Sequence, residues 1–374
     1  MIPRIITSQI TSDLNKGKAI IILGPRRVGK TTLIKSIESH SGTPSLFLNC
    51  DEPDIRPLLE NVTSSQLKFL IGNNKLVLID EAQRIKNIGI TLKLLVDNFK
   101  DIQVIASGSS ALELANEINE PLTGRKKEYH LFPISTGEMV KNSSVLEEKR
   151  MLEQRLIYGF YPDIINNPDD ATESLLELSS NYLYKDILSL ESIRKPALLE
   201  KLLIALALQI GNEVSYNELG QLLNSDPKTV ENYINLLEKC FVIFQLSSFS
   251  RNLRNEIKKG KKIYFYDNGI RNAIIKNFNP IQLRQDIGAL WENFLMAERI
   301  KSDYYKKRLV NRYFWRTRLQ HEIDLVEETG GKLLAWEFKW SEKSKSKVSP
   351  SFLLTYPEAS GHIINKENYL NFLT

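Results

Sequence analysis

Cysteine is scarce in this sequence. Of its 374 residues only two are cysteines, Cys50 and Cys240. They lie far apart and neither belongs to a CxxC pair, which argues against a structural zinc site and against a disulfide framework. We therefore expect both thiols to be ordinary core side chains.

Long hydrophobic runs are also missing. The longest apolar stretch, residues 202–210, is far shorter than the roughly 20 residues needed to cross a bilayer, and no cleavable apolar leader is present. The sequence therefore predicts a cytoplasmic protein that makes no membrane contact. Its length is enough for two or three domains with buried cores.

Charge is nearly balanced overall but unevenly distributed. The formal net charge is +5, yet residues 251–318 contain 17 Lys and Arg against 6 Asp and Glu, a net of +11. A basic block of this kind favours contact with a polyanion, because neutralised phosphates release counterions. A solvated, lysine-rich surface is the alternative interpretation.

The most informative segment is GPRRVGKTT, residues 24–32, which fits the phosphate-binding pattern GxxxxGK followed by Ser or Thr. In this pattern the backbone N–H groups turn inward, Lys30 reaches the β- and γ-phosphates, and Thr31 offers its hydroxyl to Mg²⁺. An apolar strand precedes the loop and a helical segment follows it, as a phosphate cradle requires. The predicted contacts to ATP and Mg²⁺ in the loop are Gly24, Pro25, Arg26, Arg27, Val28, Gly29, Lys30, Thr31 and Thr32.

An acidic pair follows one of the other predicted strands. Apolar runs with the spacing of a parallel α/β sheet occupy residues 44–50, 75–80, 102–107 and 127–132. The second of these ends in Asp80, and Glu81 comes next. At this position a P-loop enzyme places a carboxylate that holds Mg²⁺, and the adjacent glutamate can polarise the attacking water. An acidic pair after a strand is otherwise common as a helix N-cap.

Two more catalytic candidates follow the fourth strand. Ser109, within the segment 107–110, is placed to sense the γ-phosphate, although serines after a strand are ordinary turn residues. Arg125 lies just before the fifth strand, at the edge where a neighbouring subunit's site would lie in a ring. Its guanidinium can offset charge on the transferring phosphoryl group. A surface salt bridge is the simpler role for such an arginine.

The runs GPRRVGKTT, LVLIDEAQRI, IASGSSALEL, LTGR and LFPIS, in this order, resemble the AAA-type ATPase family of archaea and bacteria that carries a C-terminal domain of unknown function. The resemblance extends over nearly the whole chain. It implies an α/β P-loop NTPase core over residues 1–150 with sheet order 5-1-4-3-2, and a homo-oligomer, of which a hexameric ring is one form. Arg125 occupies the place of the family's GR motif. ATP hydrolysis is implied at Lys30, Thr31, Asp80 and Glu81.

The middle of the chain is predicted to be helical. Residues 151–195 resemble the small helical lid that follows such ATPase cores, and residues 196–280 predict a winged helix. Its helix-turn-helix is indicated by a capping box that starts at Ser215, and by Asp226 with Pro227 at the start of the second helix. The expected core side chains are Leu203, Ile204, Leu219, Leu222, Leu223, Val230, Ile234 and Leu237.

On DNA, the second helix would enter a major groove and the hairpin after it would lie on phosphate. Glu231 on the same helix weakens this interpretation, and winged helices also dock proteins. The candidate DNA contacts are Lys228, Thr229, Asn232 and Asn235 on the helix and Lys258, Lys259, Lys261 and Lys262 in the hairpin.

The last segment, residues 281–374, contains two predicted strands joined by a Gly-Gly turn. Asp324 ends the alternating run EIDLV, and Glu337 and Lys339 share one face of the next strand. Such a face can hold a divalent metal through its carboxylates while the lysine orients the attacking water. The segment resembles the α/β PD-(D/E)xK nuclease fold, whose first acidic position is matched by Glu292. The alternative is an inert domain in which Asp324, Glu337 and Lys339 form a buried salt-bridge cluster.

These features predict an oligomeric, ATP-driven protein that acts on branched or broken DNA in recombination, repair or defence. Metal-dependent cleavage at Glu292, Asp324 and Glu337 is a further expected activity. The rival is a nucleotide-switched signalling or scaffold protein whose C-terminal domains bind protein. The basic block and the metal-type carboxylates favour the first.

Overall fold

A computed structural model describes residues 2–108, 118, 121–180, 195–250, 260–317, 319–341 and 348–374. The chain divides into two compact units. Unit 1 comprises Met1–Pro133 and Lys239–Phe241, and unit 2 comprises Ile134–Glu238 and Val242–Thr374. Within the described ranges, no helix combines the length and the apolarity that crossing a membrane requires.

Unit 1 is an α/β fold built on five parallel strands. The strands pair in the order β5-β1-β4-β3-β2, as the family resemblance predicts. Strands β1, β3 and β4 are buried at every position, as in parallel sheets whose two faces are both covered. The edge strands β2 and β5 are only partly buried. The strands are β1 (Ala19–Leu23), β2 (Ser45–Asn49), β3 (Leu76–Asp80), β4 (Gln103–Gly108) and β5 (Lys126–His130).

Helices connect these strands. Helix α2 (Lys30–Ser41) begins at the lysine of the GPRRVGKTT motif and is followed by Gly42, whose φ of +62° suits a residue without a side chain. The strand β1, the loop and α2 therefore follow one another in the predicted order. The described helices of unit 1 are α1 (Ile6–Ser12), α2 (Lys30–Ser41), α3 (Ser64–Ile71) and α4 (Ile88–Asn98), with short 3₁₀ turns at Arg56–Leu58 and Ala82–Arg84.

Unit 2 combines many short helices with one long one, α14. Its described helices are α5 (Thr136–Asn142), α6 (Val145–Arg150), α7 (Leu152–Tyr158), α8 (Pro162–Asn166), α9 (Ala171–Leu178), α10 (Pro196–Leu208), α11 (Tyr216–Leu222), α12 (Pro227–Lys239), α13 (Asn268–Ile274), α14 (Ile287–Tyr305), α15 (Pro350–Thr355) and α16 (Tyr369–Leu373), with 3₁₀ turns at Pro168–Asp170 and Ile281–Leu283.

A second sheet, of seven strands, runs through unit 2. Its order is β12-β11-β10-β9-β7-β8-β6. The hairpin strand β7 pairs in parallel with β9 at Ser247↔Tyr313 and Ser248↔Phe314, so the strands of residues 196–280 and of residues 281–374 share one continuous sheet. The strands are β6 (Glu213–Val214), β7 (Ile243–Ser248), β8 (Lys261–Phe265), β9 (Asn311–Arg316), β10 (Glu322–Thr329), β11 (Lys332–Phe338) and β12 (Ser360–Ile364).

The predicted Gly-Gly turn joins β10 to β11. Thr329 pairs with Lys332, which leaves Gly330 and Gly331 as the turn, with φ of +54° and +74°. A two-residue turn with positive φ at both positions matches the twist of an antiparallel pair. This turn fixes which residues of β10 and β11 lie opposite each other.

Helices α11 and α12 lie where the sequence predicts the two helices of a helix-turn-helix. Helix α12 buries Val230, Ile234 and Leu237 along one face, as predicted. The core prediction is wrong at Ile204 and Leu222, which are 40% and 61% exposed. Ile204 lies between the buried Leu203 and Ala205, because one step along a helix turns a side chain by about 100°. Leu222 is the last residue of α11.

Candidate functional site

The loop of the GPRRVGKTT motif, residues 24–32, contacts the ammonium group of Lys30 through two of its carbonyl oxygens. Lys30 is 4% exposed, and its Nζ donates to the carbonyl oxygens of Gly24 and Pro25, both at 3.0 Å. A Cβ at Gly24 would lie 2.2 Å from the carbonyl oxygen of Leu131, so this position admits only glycine. Gly29 has a φ of +93°, which also favours glycine.

Arg4 supports the loop from outside the motif. Its guanidinium donates to the carbonyl oxygens of Val28, at 2.8 Å, and Phe132, at 2.6 Å. Sequence reasoning missed this residue, because an arginine 20 positions before the loop carries no pattern that links it to the loop. Of the predicted loop contacts, Val28 is buried, whereas Arg27 and Thr32 are exposed.

The carboxylate of Asp80 is held by two hydroxyl groups. Thr31 Oγ1 donates to Asp80 Oδ2 at 2.6 Å, and Ser107 Oγ donates to Asp80 Oδ1. Thr31 opens helix α2 and Asp80 ends β3, so the ends of two parallel strands bring these groups together. A hydroxyl and a carboxylate are oxygen ligands of the kind that Mg²⁺ prefers, and the donor set therefore fits this ion.

Glu81 has an unusual backbone conformation. Its φ of +53° lies in the left-handed region, which costs a residue with a side chain about 1 kcal/mol or more. Its N–H donates to Ser107 Oγ at 3.2 Å, and its carboxylate accepts a hydrogen bond from Gln83 Nε2. Ser107 therefore contacts both acidic residues. Ser107 belongs to the serine-rich segment 107–110, in which the sequence predicts Ser109 as the γ-phosphate sensor. Ser109 lies outside the described residues.

Cys50 lies behind the acidic pair and is buried, as is Cys240, in agreement with the prediction of core thiols. The N–H of Cys50 donates to the carbonyl oxygen of Asp80 at 3.0 Å. Burial, with a smaller contribution from the charge of Asp80, raises the pKa of the Cys50 thiol to about 12. The thiol therefore stays protonated and is no nucleophile.

Arg125 forms an ion pair at the other end of the sheet. Its Nε lies 2.7 Å from Asp97 Oδ1, and the two side chains are 41% and 34% exposed. It precedes β5, whereas the phosphate-binding loop follows β1, which is parallel to β5. The strand between them is about 16 Å long, so Arg125 does not reach the loop of its own chain.

The predicted nuclease residues come together in unit 2. The register that pairs Leu325 with Trp336 sets Asp324 opposite Glu337 on one face of the hairpin. Asp324 Oδ2 accepts from the N–H of Phe338 at 2.7 Å. Lys339 Nζ lies 2.9 Å from Glu337 Oε2.

Burial raises the pKa values of all three acidic side chains at this site. Burial brings the pKa of Glu292 to about 7 against the opposing charge of Lys262. The pKa of Glu337 also rises to about 7, through burial and the charge of Asp324. For Asp324 the rise has burial as its largest cause, opposed by Lys262 and Lys339. Shifts in this direction are typical of carboxyl groups held in a low-dielectric environment.

Lys262 lies among these carboxylates. Its Nζ is 3.0 Å from Glu292 Oε1 and also pairs with Glu322, and the side chain is 2% exposed. Although burial opposes it, the charges of Glu292, Asp324 and Glu322 raise the pKa of Lys262 above its ordinary value. In the part of the chain that the structure describes, no three acidic, histidine or cysteine side chains are grouped so that they could hold a metal ion. The described residues therefore give no support to the prediction that Glu292, Asp324 and Glu337 surround one metal.

The prediction that Lys262 contacts DNA is also wrong, because the side chain is buried and paired. Of the other hairpin lysines, Lys261 lies 5.8 Å from the ring of Tyr216, and Lys258 and Lys259 fall outside the described residues. On α12, Lys228 and Asn232 are exposed. The hydroxyl of Thr229 donates to Asp226 Oδ2 at 2.6 Å, and the amide of Asn235 accepts from Gln245 Nε2 at 3.2 Å.

A groove of about 1040 Å³ is lined by residues of α11 and α12 and of the strands β6, β7, β8 and β9. Both signs of charge line it: Lys228, Lys261 and Arg316 are basic, and Glu213, Glu218 and Glu231 are acidic. Arg316 lies 3.7 Å from Glu213, so part of this charge is paired within the groove.

Three family models match this chain. They are described as "AAA domain" (residues 16–140), "Domain of unknown function (DUF8612)" (residues 149–280) and "Domain of unknown function (DUF4143)" (residues 287–371). Together with the parallel five-stranded sheet, the AAA and DUF4143 matches support an AAA-type P-loop ATPase family.

Among relatives, an uncharacterized protein of Mycobacterium tuberculosis is 25% identical over 337 residues, which is 89% of this chain and 72% of that protein. An uncharacterized protein of Methanocaldococcus jannaschii is 23% identical over 344 residues, 86% of this chain and 75% of that protein. Among solved structures, the Thermotoga maritima RuvB Holliday junction branch migration motor has a TM-score of 0.34 at 16% identity, covering 70% of this chain and 92% of that one. Drosophila ORC bound to AT-rich DNA has a TM-score of 0.27 at 10% identity, covering 72% and 90%.

Proposed function

We propose that this protein binds and hydrolyses ATP in the presence of Mg²⁺, and that hydrolysis drives or gates an action on DNA. The observation that supports the ATPase most directly is the hydrogen bonding of Lys30, Thr31 and Asp80. The buried ammonium of Lys30 lies on the loop carbonyls, and the hydroxyl of Thr31 lies 2.6 Å from the carboxylate of Asp80.

Each of these residues has a distinct role in the proposal. Lys30 exchanges its loop carbonyls for β- and γ-phosphate oxygens, while Thr31 and Asp80 hold Mg²⁺ directly or through water. The bound ion neutralises charge on the phosphates. Glu81 accepts the proton of the attacking water, for which its carboxylate leaves Gln83.

Two further roles complete the proposed ATPase site. Ser109 senses the γ-phosphate from the segment after β4. Arg125 leaves its ion pair with Asp97 and serves the nucleotide of a neighbouring subunit in a homo-oligomer.

Separate roles for Lys30 and Glu81 give a direct test of the ATPase. Lys30→Ala should weaken binding of a fluorescent ATP analogue and abolish phosphate release. Glu81→Gln should bind the analogue normally and lose about 10²- to 10⁴-fold in turnover, the usual contribution of a general base. Lys35→Ala, an exposed lysine on the same helix, is the matched control and should change neither quantity. Equal loss of nucleotide binding in the Lys30 and Glu81 variants would contradict the assignment.

The DNA part of the proposal rests on the exposed residues of α12. Five basic side chains of the block 251–318 are buried and ion-paired and give it no support: Lys262, Arg271, Arg284, Arg299 and Lys301. Lys228 and Asn232 project from the second helix of the helix-turn-helix, beside a groove that Lys261 also lines. We expect duplex, single-stranded or four-way DNA to stimulate ATP turnover, and DNA binding to fall steeply with salt. If none of these forms of DNA changes the rate of ATP turnover, the DNA part of the proposal is wrong.

A second candidate function is docking of a protein partner, which the acidic residues of the groove favour. Glu213, Glu218 and Glu231 disfavour a phosphate backbone in this place. Two substitutions that change the charge of the groove in opposite directions distinguish the two functions. If the groove binds DNA, Lys228→Ala should weaken binding and Glu231→Gln should strengthen it. If DNA binding is unchanged in both variants, the groove serves a protein.

A PD-(D/E)xK-like fold for the C-terminal domain is part of this proposal, supported by a helical glutamate, Glu292, that precedes a hairpin with Asp324, Glu337 and Lys339. We propose that it engages the substrate without cleaving it. The ion pairs of Lys262 and Lys339 with the acidic side chains support this inert form.

A further inference from the structure

Arg4 joins two backbone segments of unit 1 from a position outside the GPRRVGKTT motif. Its guanidinium donates to the carbonyl oxygen of Val28, within the loop, and to that of Phe132, two residues after β5. The side chain of Phe132 is 2% exposed, and the carbonyl oxygen of Leu131 leaves no room for a side chain at Gly24. The guanidinium therefore ties the loop to a buried part of the fold.

The peptide between Val28 and Gly29 is the part of the loop that this contact controls. Turning that peptide over changes mainly ψ of Val28 and φ of Gly29, and glycine adopts positive and negative φ with similar ease. In the structure Gly29 has a φ of +93°, and Arg27, on the other side of Val28, has a φ of +60°. Glycine sets little preference here, whereas the 2.8 Å hydrogen bond from Arg4 to the Val28 carbonyl selects one direction.

The direction of this carbonyl also sets the direction of the next N–H. The Val28–Gly29 peptide is trans, so its C=O and N–H bonds point to opposite sides, and the N–H of Gly29 points away from Arg4. Gly29 is the N-cap residue of α2, and its own carbonyl oxygen accepts from the N–H of Leu33 at 2.9 Å. The first N–H groups of a helix have no partner within the helix and favour anions.

We propose that Arg4 is a positioning residue for phosphate binding. It holds the carbonyl of Val28 on the outer side of the loop and thereby aims the N–H of Gly29 at the phosphates of the nucleotide. This inference rests on the proposed ATP site. Arg4 acts through the backbone rather than by touching the nucleotide, and its effect is a loop whose N–H is already aimed before the ligand binds, which lowers the ordering cost of binding.

The test is a calorimetric titration of the full chain, in the presence of Mg²⁺, with a non-hydrolysable ATP analogue and with inorganic triphosphate. Arg4→Met should raise Kd for both ligands by the same factor, roughly tenfold, because the lost orientation affects phosphate contacts alone. Turnover at saturating ATP should stay within about twofold of the wild type, because the N–H of Gly29 holds phosphate equally in the ground and transition states. Lys18→Met removes an exposed positive charge just before β1 and should change neither quantity.

A chemical rescue distinguishes orientation by the guanidinium from a general loss of stability. In Arg4→Ala, added guanidinium chloride should recover part of the lost affinity, whereas NaCl at the same concentration should not. Arg4→Lys supplies one ammonium, which lacks the fork that reaches two carbonyl oxygens, and should weaken the binding of both ligands by an intermediate factor.

Two outcomes would overturn the inference. One is a folded Arg4→Met protein that binds both ligands as tightly as the wild type, and the other is a variant that loses affinity for the ATP analogue but not for triphosphate. Should Arg4→Met not fold, Arg4→Lys decides the matter by the same two criteria. A wild-type protein that binds neither ligand would instead contradict the proposed ATPase itself, so the two failures are distinguishable.

Discussion

At the scale of single residues, the hydroxyl of Ser107 occupies a decisive place between Asp80 and Glu81. It donates to the carboxylate of Asp80 and accepts from the backbone N–H of Glu81. It is fully buried, and so is most of Asp80. Ser107 therefore positions both acidic residues of the proposed ATPase site without belonging to the phosphate-binding loop.

We expect Ser107→Ala to lower kcat for ATP roughly tenfold while KM changes little, because a positioning group is lost and nucleotide contacts remain. A buried carboxylate oxygen also loses its donor, which should cost about 1–3 kcal/mol of stability. Steady-state kinetics and urea unfolding measure the two effects. Ser107→Thr retains the hydroxyl and should recover most of kcat; a threonine variant as slow as the alanine variant would argue against positioning by the hydroxyl.

A residue of the site can be predicted from the sequence when a short local sequence pattern contains it. Lys30, Thr31 and Asp80 were found because a loop and a strand end carry them in fixed local patterns. Arg4 and Lys262 were not, since their partners lie 24 or more residues away along the chain. The sequence predicts Lys262 as a DNA contact of the hairpin, whereas tertiary packing, which leaves no local pattern, buries it.

At the scale of elements, the starts of α11 and α12 differ in how they are capped. Asp226 caps α12, accepting from the N–H of Thr229 at 2.8 Å. Ser215 was expected to form a capping box, but its side chain makes no capping hydrogen bond to the described residues of α11. Both positions carry an N-cap signal in the sequence, yet only the side chain of Asp226 accepts a capping hydrogen bond from its helix.

This difference predicts unequal effects of two matched substitutions. Asp226→Ala should lower the unfolding temperature by roughly 2–4 °C, because the first turn of α12 loses its cap. Ser215→Ala should change it much less. Thermal unfolding followed by circular dichroism measures both, and equal shifts would show that the cap of α12 is not what stabilises the helix.

The hairpin of β10 and β11 predicts a pH dependence of stability. Burial raises the pKa of Glu337 from 4.5 to about 7 in the folded protein. Between these values the folded state binds more protons than the unfolded state, so this group lowers the free energy of unfolding as pH rises from about 4.5 to 7, and has no further effect above 7.

Glu337→Gln should therefore make the decline of stability between pH 5 and pH 7 shallower. Urea midpoints measured at several pH values test this expectation. Glu328→Gln, an exposed glutamate on β10, is the control and should keep the wild-type decline. A wild-type profile in Glu337→Gln would contradict the assigned cause.

The elements themselves were predictable to different degrees. Strands β1, β3 and β4 were found because strands covered on both faces are continuous apolar runs. The parallel pairing of β7 with β9 was not foreseen, since it joins residues more than 60 positions apart and involves only two residue pairs. Such pairing depends on tertiary packing and leaves no periodic signal in either strand.

At the scale of the whole molecule, the position of Arg125 predicts cooperation between subunits. Arg125→Ala should bind ATP normally and lose most hydrolysis, because the charge it offers acts on a neighbour's phosphates. Mixing this protein with Lys30→Ala should restore part of the activity at hybrid interfaces, measured as phosphate release. Asp97→Ala frees the arginine and should retain turnover. Full wild-type turnover by Arg125→Ala, in a protein that sedimentation shows to be monomeric, would refute the prediction.

The continuous sheet of unit 2 has a consequence for how this unit opens. The N–H of Phe249 donates to the carbonyl oxygen of Phe314 at 2.6 Å, so backbone hydrogen bonds cross from β7 to β9. Amide protons there exchange with deuterium only when both neighbouring strands separate. The amide protons of β7 and β9 at this junction should thus show common exchange rates, although β7 belongs to the hairpin with β8 and β9 pairs with the hairpin of β10 and β11. A displacement of β7 would therefore be transmitted to β9 through these backbone hydrogen bonds.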